Sequence, residues 1–541
     1  MSDPHPSPPE VADVLVVGAG PVGLLTARLL GRAGHAVTLV ERWPEPYPLP
    51  RAVHYDHEIG RILQSAGLAD DVRAVSQPVP DFYEWRNRDR ELLVRVDWSQ
   101  PGPSGWPVAN FFSQPELEAV LLRSVEAMPG VTVHRGNQLV ALAERDDHIA
   151  ATVTGTLGEQ VELRARYVVG CDGANSFVRQ WMDTPVTDLG FWFDWLIVDT
   201  VPQDDVEWSP MNWQLCDPAR PTTIVSGGPG RRRWEFMRLP HEQVADLDSE
   251  ETAWRLLETW GRTPENTVLE RHAVYTFQAR WAEQWRQRRV LVAGDAAHLM
   301  PPFAGQGMCS GMRDAANLSW KLDLVLRDLA PDALLDTYTT ERRSHLRHAI
   351  EMSVALGRVI CVLDEDEARQ RDQRMIAAGA DPRTVLPPMP PERLGPGAWD
   401  ADQTPAALHG TLVPQFRVDV DGAVTLIDDV LGYGGTLIGY GVDPLATLSD
   451  AERSELAEVG VRGVALVEPG EWTATGAHTR LLVGADTTPG DWFTSAGVQA
   501  VVVRPDFYLF GAVADVDQVV TLARTYLDSL RTDSDRELVV P

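Results

Sequence analysis

A glycine-rich turn between a strand and a helix constrains the fold of this chain more than any other feature. Residues 18–23 read GAGPVG and follow a valine-rich run, Val11 to Val17, that suits a buried parallel strand. Pro21 favours the start of a helix, because its missing N–H needs no partner there. A second strand, Ala36 to Val40, comes next and ends before Glu41. The pattern predicts a βαβ unit that binds a dinucleotide.

Each glycine of this turn has its own task. Gly18 permits the tight turn, Gly20 lets a pyrophosphate approach the backbone, and Gly23 lets the helix and strand pack closely. Glu41, 18 residues after Gly23, is placed to accept hydrogen bonds from a ribose diol. The alternative is a glycine turn in some other α/β protein, and the strand context together with Glu41 disfavours it.

Two more strand-to-turn segments follow. Residues 288–298 read RRVLVAGDAAH, which brings Asp295 to the end of a strand, where it can accept a hydrogen bond from a ribityl hydroxyl. Residues 300–311, MPPFAGQGMCSG, enter a helix at about Met308, whose free N–H groups can stabilise negative charge on a reduced flavin. The third segment is YVVGCDGANSFVR at 167–179. A metal or catalytic role for Asp295 and His298 is disfavoured, since no partner ligands stand at usable spacing, and no metal site is predicted.

Composition excludes several classes of protein. The formal net charge of −30 argues against a nucleic-acid or anionic-membrane surface. The four cysteines form no CxxC pair, which favours a reducing compartment. The first ten residues do not resemble a signal peptide, and the longest apolar stretch, Val14 to Ala27, is too short to span a bilayer. A cytoplasmic location is expected.

The chain is predicted to have an α/β fold, a Rossmann-like FAD-binding domain with an inserted β-sheet substrate domain. Short alternating runs rich in tryptophan mark the insert, and prolines at 387, 388, 390 and 391 mark a linker within 381–405. The predicted divisions are 1–75, 110–182 and 270–400 for the FAD-binding domain, 76–109 and 183–269 for the substrate domain, and 408–541 for a C-terminal domain.

Together these motifs resemble the group A FAD-dependent aromatic hydroxylases, the para-hydroxybenzoate hydroxylase family. GAGPVG, CDGANSFVR and GDAAHLMPPFAGQGMCSGMRDAANLSWKL occur in the family's order, over about residues 11–400. RRRWEFM at 231–237 and VYTFQARWAEQW at 274–285 resemble the 3-(3-hydroxyphenyl)propionate hydroxylase branch, and polyketide hydroxylases are the neighbouring branch. The resemblance implies a monooxygenase that hydroxylates a phenol with NAD(P)H and O2 through a flavin C4a-hydroperoxide. NADH or NADPH would act transiently, since no second GxGxxG is present.

The resemblance also implies roles for single residues. Two of these roles have a structural alternative: Arg51 could be a surface arginine, and Gln114 could be an ordinary side chain at a helix N-terminus. The implied FAD-binding residues are Gly18, Gly20 and Gly23 at the pyrophosphate, Glu41 at the ribose, Arg42 and Arg51 nearby, Gln114 near the ribityl chain, Asp172 and Arg179 in the motif linked to FAD and NAD(P)H, Asp295 at the ribityl chain, and Pro302, Gly307 and Met308 at the flavin ring.

The substrate side is less constrained by sequence. His54 is the candidate base for the phenol, and a structural histidine in a turn is the alternative. Arg231 to Arg233 form a solvated hairpin tip or else meet a substrate carboxylate. Candidate aromatic walls are Trp234 and Phe236, with Trp192, Trp195 and Trp213, although sheet core is the expected fate of most of them.

Three rival functions stay in view. A flavin-dependent halogenase needs a WxWxIP element, which is absent, and a catalytic lysine, whereas the only lysine is Lys321 in the helix after the flavin loop. A Baeyer–Villiger or epoxidising oxygenase on the same fold is not excluded by sequence. A non-catalytic flavin-binding scaffold is disfavoured by the intact motifs.

The C-terminal unit resembles the thioredoxin-like domain of this branch, through its strands and VVVRPDFYLFG at 501–511. It has no cysteine, so dithiol exchange is chemically impossible there. A packing role is expected instead, either on the flavin domain or in a homodimer interface.

Overall fold

The computed structural model describes residues 11–386, 393–468, 480–483 and 489–531. The four prolines of the predicted linker, at 387, 388, 390 and 391, lie outside the described residues. Strands and helices are numbered along the chain.

The first sheet is the parallel core that the glycine turn predicts. It has eight strands, with the order β17-β18-β11-β1-β2-β8; β10 pairs with β11, and β9 pairs with β10. β1, β2, β8, β11 and β18 run parallel, so their carboxyl ends meet at one edge. Its strands are β1 Val11–Val17, β2 Val37–Glu41, β8 Val131–Arg135, β9 Asn137–Glu144, β10 Ile149–Gly155, β11 Gln160–Gly170, β17 Arg286–Gln287 and β18 Val290–Val292.

The second sheet forms the insert. Eight strands have the order β19-β16-β12-β15-β14-β13-β5-β6, and a small three-stranded sheet, β3-β7-β4, lies in the segments that lead to it. The strands of the large sheet are β5 Phe82–Arg86, β6 Leu92–Asp97, β12 Val186–Pro202, β13 Asn212–Leu215, β14 Thr222–Ser226, β15 Arg232–Met237, β16 Thr267–Ala282 and β19 His298–Leu299. Those of the small sheet are β3 His54–Asp56, β4 Ser76–Pro78 and β7 Ala109–Phe112.

One predicted boundary needs correction. β16 pairs with β12 from Thr267 to Ala282, so residues 270–282 belong to the second sheet and not to the first domain. The reason is the length of β16, which continues beyond the insert. Its last residues pair with β19, the short strand at the end of the GDAAH turn.

The C-terminal unit is a third α/β layer. Its seven-stranded sheet has the order β21-β20-β24-β23-β22-β25-β26, in which β22 and β23 are parallel and β25 is antiparallel to β22. Its strands are β20 Arg417–Val420, β21 Ala423–Leu426, β22 Gly435–Tyr440, β23 Val461–Val467, β24 Arg480–Val483, β25 Ala500–Val503 and β26 Leu509–Val513.

The described helices cover the three sheets. None of those in the described part of the chain combines the length and apolarity needed to cross a bilayer. The α-helices are α1 Pro21–Arg32, α2 His57–Ser65, α3 Ala69–Ala74, α4 Gln114–Glu126, α5 Phe177–Met182, α6 Val244–Leu247, α7 Glu250–Glu258, α8 Gly307–Leu326, α9 Asp336–Ile360, α10 Glu365–Ala377, α11 Pro382–Val385, α12 Ile427–Leu431, α13 Asp450–Glu458, α14 Pro489–Ala496 and α15 Val519–Arg531. Short 3-10 helices occupy Gly294–Ala296, Pro302–Ala304, Asp332–Leu335, Ala406–Leu408 and Val516–Gln518.

Buried ion pairs hold the C-terminal unit against α8 and α9. Arg504 Nη2 lies 2.8 Å from Glu341 Oε2, and Lys321 Nζ contacts the same oxygen at 2.8 Å. Arg504 also pairs with Asp506 at 2.6 Å. Such a network is expensive to break, because each remaining charge would be left buried without its partner. The one lysine of the chain, Lys321, thus serves in this buried ion-pair network.

Candidate flavin and substrate site

The glycine turn has the shape that the motif predicts. Gly18 has a φ of +105°, and a Cβ added to Gly23 would lie 1.9 Å from the Gly18 carbonyl oxygen, so neither position tolerates a side chain. A Cβ at Gly20, in contrast, would meet no atom within 4 Å. The backbone therefore faces open space at Gly20, directly before α1 begins at Pro21.

Glu41 is brought to this turn across the carboxyl edge of the sheet. Its Oε2 accepts a hydrogen bond from Ala19 N at 2.8 Å, and its Oε1 accepts one from Trp43 N at 2.9 Å. Each oxygen keeps a further lone pair. The carboxylate is thus fixed in orientation beside the glycine turn and can still accept bonds from a diol.

The GDAAH turn is anchored by a residue of α8. Asp314 Oδ2 accepts from Gly294 N at 3.0 Å and contacts His298 Nε2 at 2.7 Å, while Arg342 Nε donates to Asp314 Oδ1 at 2.9 Å. Burial alone would raise the pKa of Asp314, but His298 and Arg342 hold it below its ordinary value. Asp295, in the same turn, keeps an accessible carboxylate although protein surrounds it on most sides. The anchor leaves Asp295 available to a ligand.

Asp172 and Arg179 join two of the predicted turns. Asp172 accepts from Ser176 Oγ at 2.5 Å and from Val178 N at 3.2 Å, so it caps the start of α5. Arg179 donates to the carbonyl oxygens of Ala296 and Ala174, each at 2.7 Å. These bonds tie the CDG turn to the GDAAH turn, and the Arg179 side chain reaches the small cavity beside Asp295.

The Pro-Gly loop leads into α8 as expected. Pro302 opens a 3-10 turn that ends at Gly305, whose φ is +64°, and α8 begins at Gly307, followed by Met308. A Cβ on Gly305 would come within 2.8 Å of His54 Nδ1. The loop therefore lies directly against His54, and only glycine permits that approach.

Two predicted residues, Arg42 and Arg51, lie on the loop after β2, and a third, Gln114, contacts that loop from α4. Arg42 and Arg51 are exposed, with their guanidinium carbons 5.3 Å and 4.3 Å from the rings of Trp43 and Tyr47. Gln114 is buried at the start of α4, where its Oε1 accepts from Ala52 N at 2.7 Å and its Nε2 donates to Glu118 at 2.6 Å. Gln114 thus fixes the position of the loop that carries Arg51.

His54 lies in an aromatic enclosure. Its ring centroid is 5.7 Å from that of Trp98 and 5.4 Å from that of Phe111, and Trp98 stacks on Tyr83 at 4.6 Å. Both ring nitrogens are buried, and neither has a hydrogen-bond partner of good geometry among the described residues. Burial lowers the pKa of His54, although the charge of Asp56 and the Gly305 backbone oppose this. The lowered pKa favours the neutral imidazole, which keeps an acceptor lone pair.

The two faces of β15 have opposite characters, since side chains alternate along a strand. Arg233 faces the first domain, where it donates to the carbonyl oxygens of Arg51 and Pro50 and pairs with Asp199 at 2.6 Å. Glu235 lies on the same face, and burial raises its pKa to about 7. Trp234 and Phe236 point the other way and pack with Leu256 in the core beneath α7. The prediction that these two wall the substrate pocket is corrected accordingly: they belong to the core of the sheet.

The remaining candidates of the insert also serve packing. Trp195 is fully buried with its ring 5.5 Å from Phe303, Trp213 packs edge-on against Trp260, and Trp192 is 52% exposed. Arg232 and Arg233 are 2% and 4% exposed, so the expectation of a solvated hairpin tip is wrong for these two. Strand pairing of β14 with β15 encloses them. Arg231, at the turn, is partly exposed and pairs with Glu116 and Glu270.

Sequence reasoning missed Tyr83, Trp98, Phe111, Glu235 and Arg313. The first four come from β5, the residue after β6, β7 and β15, and they meet only through tertiary structure. Arg313 carried a usable signal: it and Asp314 are adjacent charged residues in a long helix whose other residues are mostly apolar or small, and such charges are buried only when paired.

The residues present fit a flavin dinucleotide. Open backbone at Gly20 and an accessible Asp295 lie at the edge where the carboxyl ends of the parallel strands meet. The ring nitrogens of His54, which have no hydrogen-bond partner of good geometry among the described residues, lie beside the Pro-Gly loop at Gly305. No group of three or more metal-ligating side chains occurs among residues 11–386, 393–468, 480–483 and 489–531.

Comparison with known proteins agrees with this geometry. A family model described as FAD binding domain matches residues 11–353, and one described as HcaD C-terminal domain matches residues 410–528. A probable NADH-specific resorcinol 4-hydroxylase of Rhodococcus jostii strain RHA1 is 37% identical over 516 residues, covering 95% of this chain and 94% of that protein. A 3-(3-hydroxy-phenyl)propionate/3-hydroxycinnamic acid hydroxylase of Escherichia coli strain K12 is 34% identical over 524 residues, covering 94% of this chain and 93% of that protein.

Solved structures show the same fold. Aklavinone-11 hydroxylase, in a ternary complex with FAD and aklavinone, aligns with a TM-score of 0.75 at 26% identity, covering 97% of this chain and 99% of that one. The flavin-dependent monooxygenase PieE, in complex with FAD and substrate, aligns with a TM-score of 0.78 at 23% identity, covering 97% of this chain and 100% of that one. The predicted α/β fold with an FAD-binding domain is confirmed.

Proposed function

We propose a function for this chain on the premise that it belongs to the FAD-binding domain family, the group A FAD-dependent aromatic hydroxylases. The proposed function is hydroxylation of a phenolic aromatic compound with NAD(P)H and O2. The observation that carries it is His54: a buried imidazole without a hydrogen-bond partner of good geometry among the described residues, enclosed by aromatic rings and touching the loop that opens α8.

The cofactor would lie along the carboxyl edge of the first sheet. FAD, when bound, accepts a hydride from NAD(P)H and activates O2 for transfer of one oxygen atom. The residues proposed to hold it are Gly18, Gly20 and Gly23 at the pyrophosphate, Glu41 at the ribose, Arg42 and Arg51 at the adenosine half and phosphate, Asp295 at the ribityl chain, and Pro302, Gly307 and Met308 at the ring. Gln114, Asp172 and Arg179 support these contacts by fixing the loops.

His54 is proposed to accept the proton of the substrate hydroxyl. Nδ1 faces the Gly305 backbone, so we assign the acceptor role to Nε2. Transfer of the proton gives a phenolate, whose ring is more electron-rich and attacks an electrophilic oxygen more readily. Tyr83, Trp98 and Phe111 would exclude water from the ring and orient it, and Glu235 would accept a hydrogen bond from a second polar substituent.

A screen of phenols tests this function. Purified protein with bound FAD is given NADH or NADPH and one of resorcinol, 3-(3-hydroxyphenyl)propionate or a polycyclic phenol, and reductant oxidation and product mass are measured. We expect a phenol to stimulate oxidation and to gain one hydroxyl, with NADH preferred, as in the name of the Rhodococcus relative. Oxidation that no phenol stimulates would favour the scaffold alternative. A lactone or epoxide product would favour the Baeyer–Villiger or epoxidising alternative.

We infer that the C-terminal unit is thioredoxin-like in topology and has no redox role. The strand order β23-β22-β25-β26, with a parallel first pair and antiparallel later pairs, supports the topology. Residues 408–541 contain no cysteine. A homodimer and a cytoplasmic location stay predictions of the sequence.

A further inference from the structure

A buried polar chain connects the C-terminal unit to the loop that opens α8. Tyr508, directly before β26, donates from Oη to Glu58 Oε1 at 3.0 Å. The other oxygen of Glu58 accepts from Arg313 Nε at 2.6 Å. Tyr508, Glu58 and Arg313 are only 4%, 2% and 5% exposed, so water does not screen these contacts.

Arg313 connects Glu58 to the loop that precedes α8. Its Nη1 donates to Gln306 Oε1 at 2.8 Å, and its Nη2 donates to Asp56 Oδ2 at 2.7 Å. Gln306 Nε2 also donates to Asp56 Oδ2, at 3.1 Å. Gln306 is the residue immediately before Gly307, where α8 begins. One guanidinium therefore fixes the start of the helix whose N–H groups are proposed to face the flavin ring.

The same arginine fixes the strand of His54. Asp56 stands two residues after His54 on β3, and its Oδ1 accepts from the backbone N–H groups of Glu58 and Ile59 at the start of α2. Movement of the Asp56 carboxylate would therefore move β3 relative to the loop at Gly305. The two parts of the site proposed to meet flavin and substrate share one anchor.

We propose that Tyr508 is a positioning residue for the flavin site: through Glu58 and Arg313 it holds the Gln306 loop and β3 at their mutual distance. This proposal rests on the proposed function for the location of the flavin ring. Without the Tyr508 hydroxyl, Glu58 loses one donor and turns within its pocket, and Arg313 follows it. Docking of the unit does not depend on this hydroxyl, because the Arg504, Glu341 and Lys321 network holds the unit separately.

Tyr508→Phe tests the proposal, with Tyr526→Phe as the matched control. Tyr526 is equally buried in the same unit, packs edge-on against Phe510, and its hydroxyl has no hydrogen-bond partner within the described part of the chain. FAD dissociation is measured by fluorescence titration, and the share of consumed NADH that yields H2O2 rather than product is measured with the best phenol of the screen.

We expect Tyr508→Phe to weaken FAD binding and to raise the H2O2 share, each by roughly 2- to 30-fold, the range for residues that act through a connecting network. Glu58→Gln should shift both in the same direction, whereas Tyr526→Phe should leave both unchanged. Equal values for Tyr508→Phe and Tyr526→Phe would overturn the proposal. So would a fall in melting temperature for Tyr508→Phe alone, with Glu58→Gln normal in both measurements. The FAD arm needs no substrate, so it decides the point even if no phenol is hydroxylated.

Discussion

The carboxyl edge of the first sheet and the inward face of the second sheet form the two halves of the proposed site, and they are built differently. On the first sheet, backbone turns and single side chains follow directly after strands, as Gly18 does after β1 and Asp295 after β18. In the other half, Glu235 comes from β15 of the second sheet, His54 from β3 of the small sheet, and Trp98 from the residue that follows β6. A dinucleotide can be held largely by backbone, whereas an aromatic ring must be held by side chains. Cofactor binding therefore leaves a contiguous motif in the sequence, and substrate binding does not.

The largest expected effect is on stability, and it tests whether Trp234 lies on the core face of β15 or on the face toward the site. Trp234→Ala should reduce the free energy of unfolding by about 3–5 kcal/mol, because it opens a cavity in the core beneath α7. Urea unfolding measures this. Trp192→Ala is the matched control, since Trp192 is 52% exposed and its removal should change stability by no more than about 0.5 kcal/mol. If Trp234→Ala left stability intact but raised the KM for the phenol, Trp234 would belong to the pocket after all.

The next effect tests the substrate half alone. His54→Asn should lower hydroxylation by roughly 100-fold, the scale of losing a general base, while FAD content stays normal. Because burial lowers the pKa of His54, the native enzyme should lose activity only as the pH falls below the ordinary histidine range. Steady-state rates across pH 5–9 provide the measurement. His272→Asn is the control, because His272 lies on β16 and is not part of the aromatic enclosure of His54. An unchanged pH profile in His54→Asn would return His54 to a structural role.

A substitution in the cofactor half should instead weaken FAD binding. Asp295→Ala should weaken FAD binding by about 10- to 100-fold, as expected for loss of a hydrogen bond to a charged group. Equilibrium titration of apoprotein with FAD measures it. Asp295→Asn keeps an acceptor oxygen and should retain most of the affinity. An alanine variant that purifies with full FAD and normal turnover would contradict the assignment.

The smallest effect concerns Glu235. Its pKa of about 7 in the folded protein exceeds the ordinary value of 4.5, so its protonated form favours folding at low pH, and this contribution is lost as the pH rises through 7. Between pH 6 and pH 8 the free energy of unfolding should fall by about 1 kcal/mol. Glu235→Gln should remove that dependence, and urea unfolding at the two pH values tests it. An identical pH dependence in Glu235→Gln and the native protein would show that Glu235 is ionised throughout.

The sequence sufficed to predict the parallel core, the glycine turn and the turn that carries Asp295, because each depends on a few neighbouring residues with fixed backbone requirements. It also predicted a separate C-terminal domain after residue 408, where the seven-stranded sheet lies. It did not determine which face of β15 points inward. A shift of one residue exchanges the faces, and pairing with β12 and β14, far away in the chain, sets that register.

The surroundings of His54, the end of the insert at Ala282 and the connection from Tyr508 to Gln306 became evident only in the folded structure. Glu58 and Arg313 are 255 residues apart, and Tyr508 and Glu58 are 450 residues apart. No local propensity encodes such contacts, since they arise where layers of the fold press together and each buried charge must find a partner. Backbone requirements act between neighbouring residues and can be predicted from the sequence, whereas burial brings together residues that are far apart in the chain.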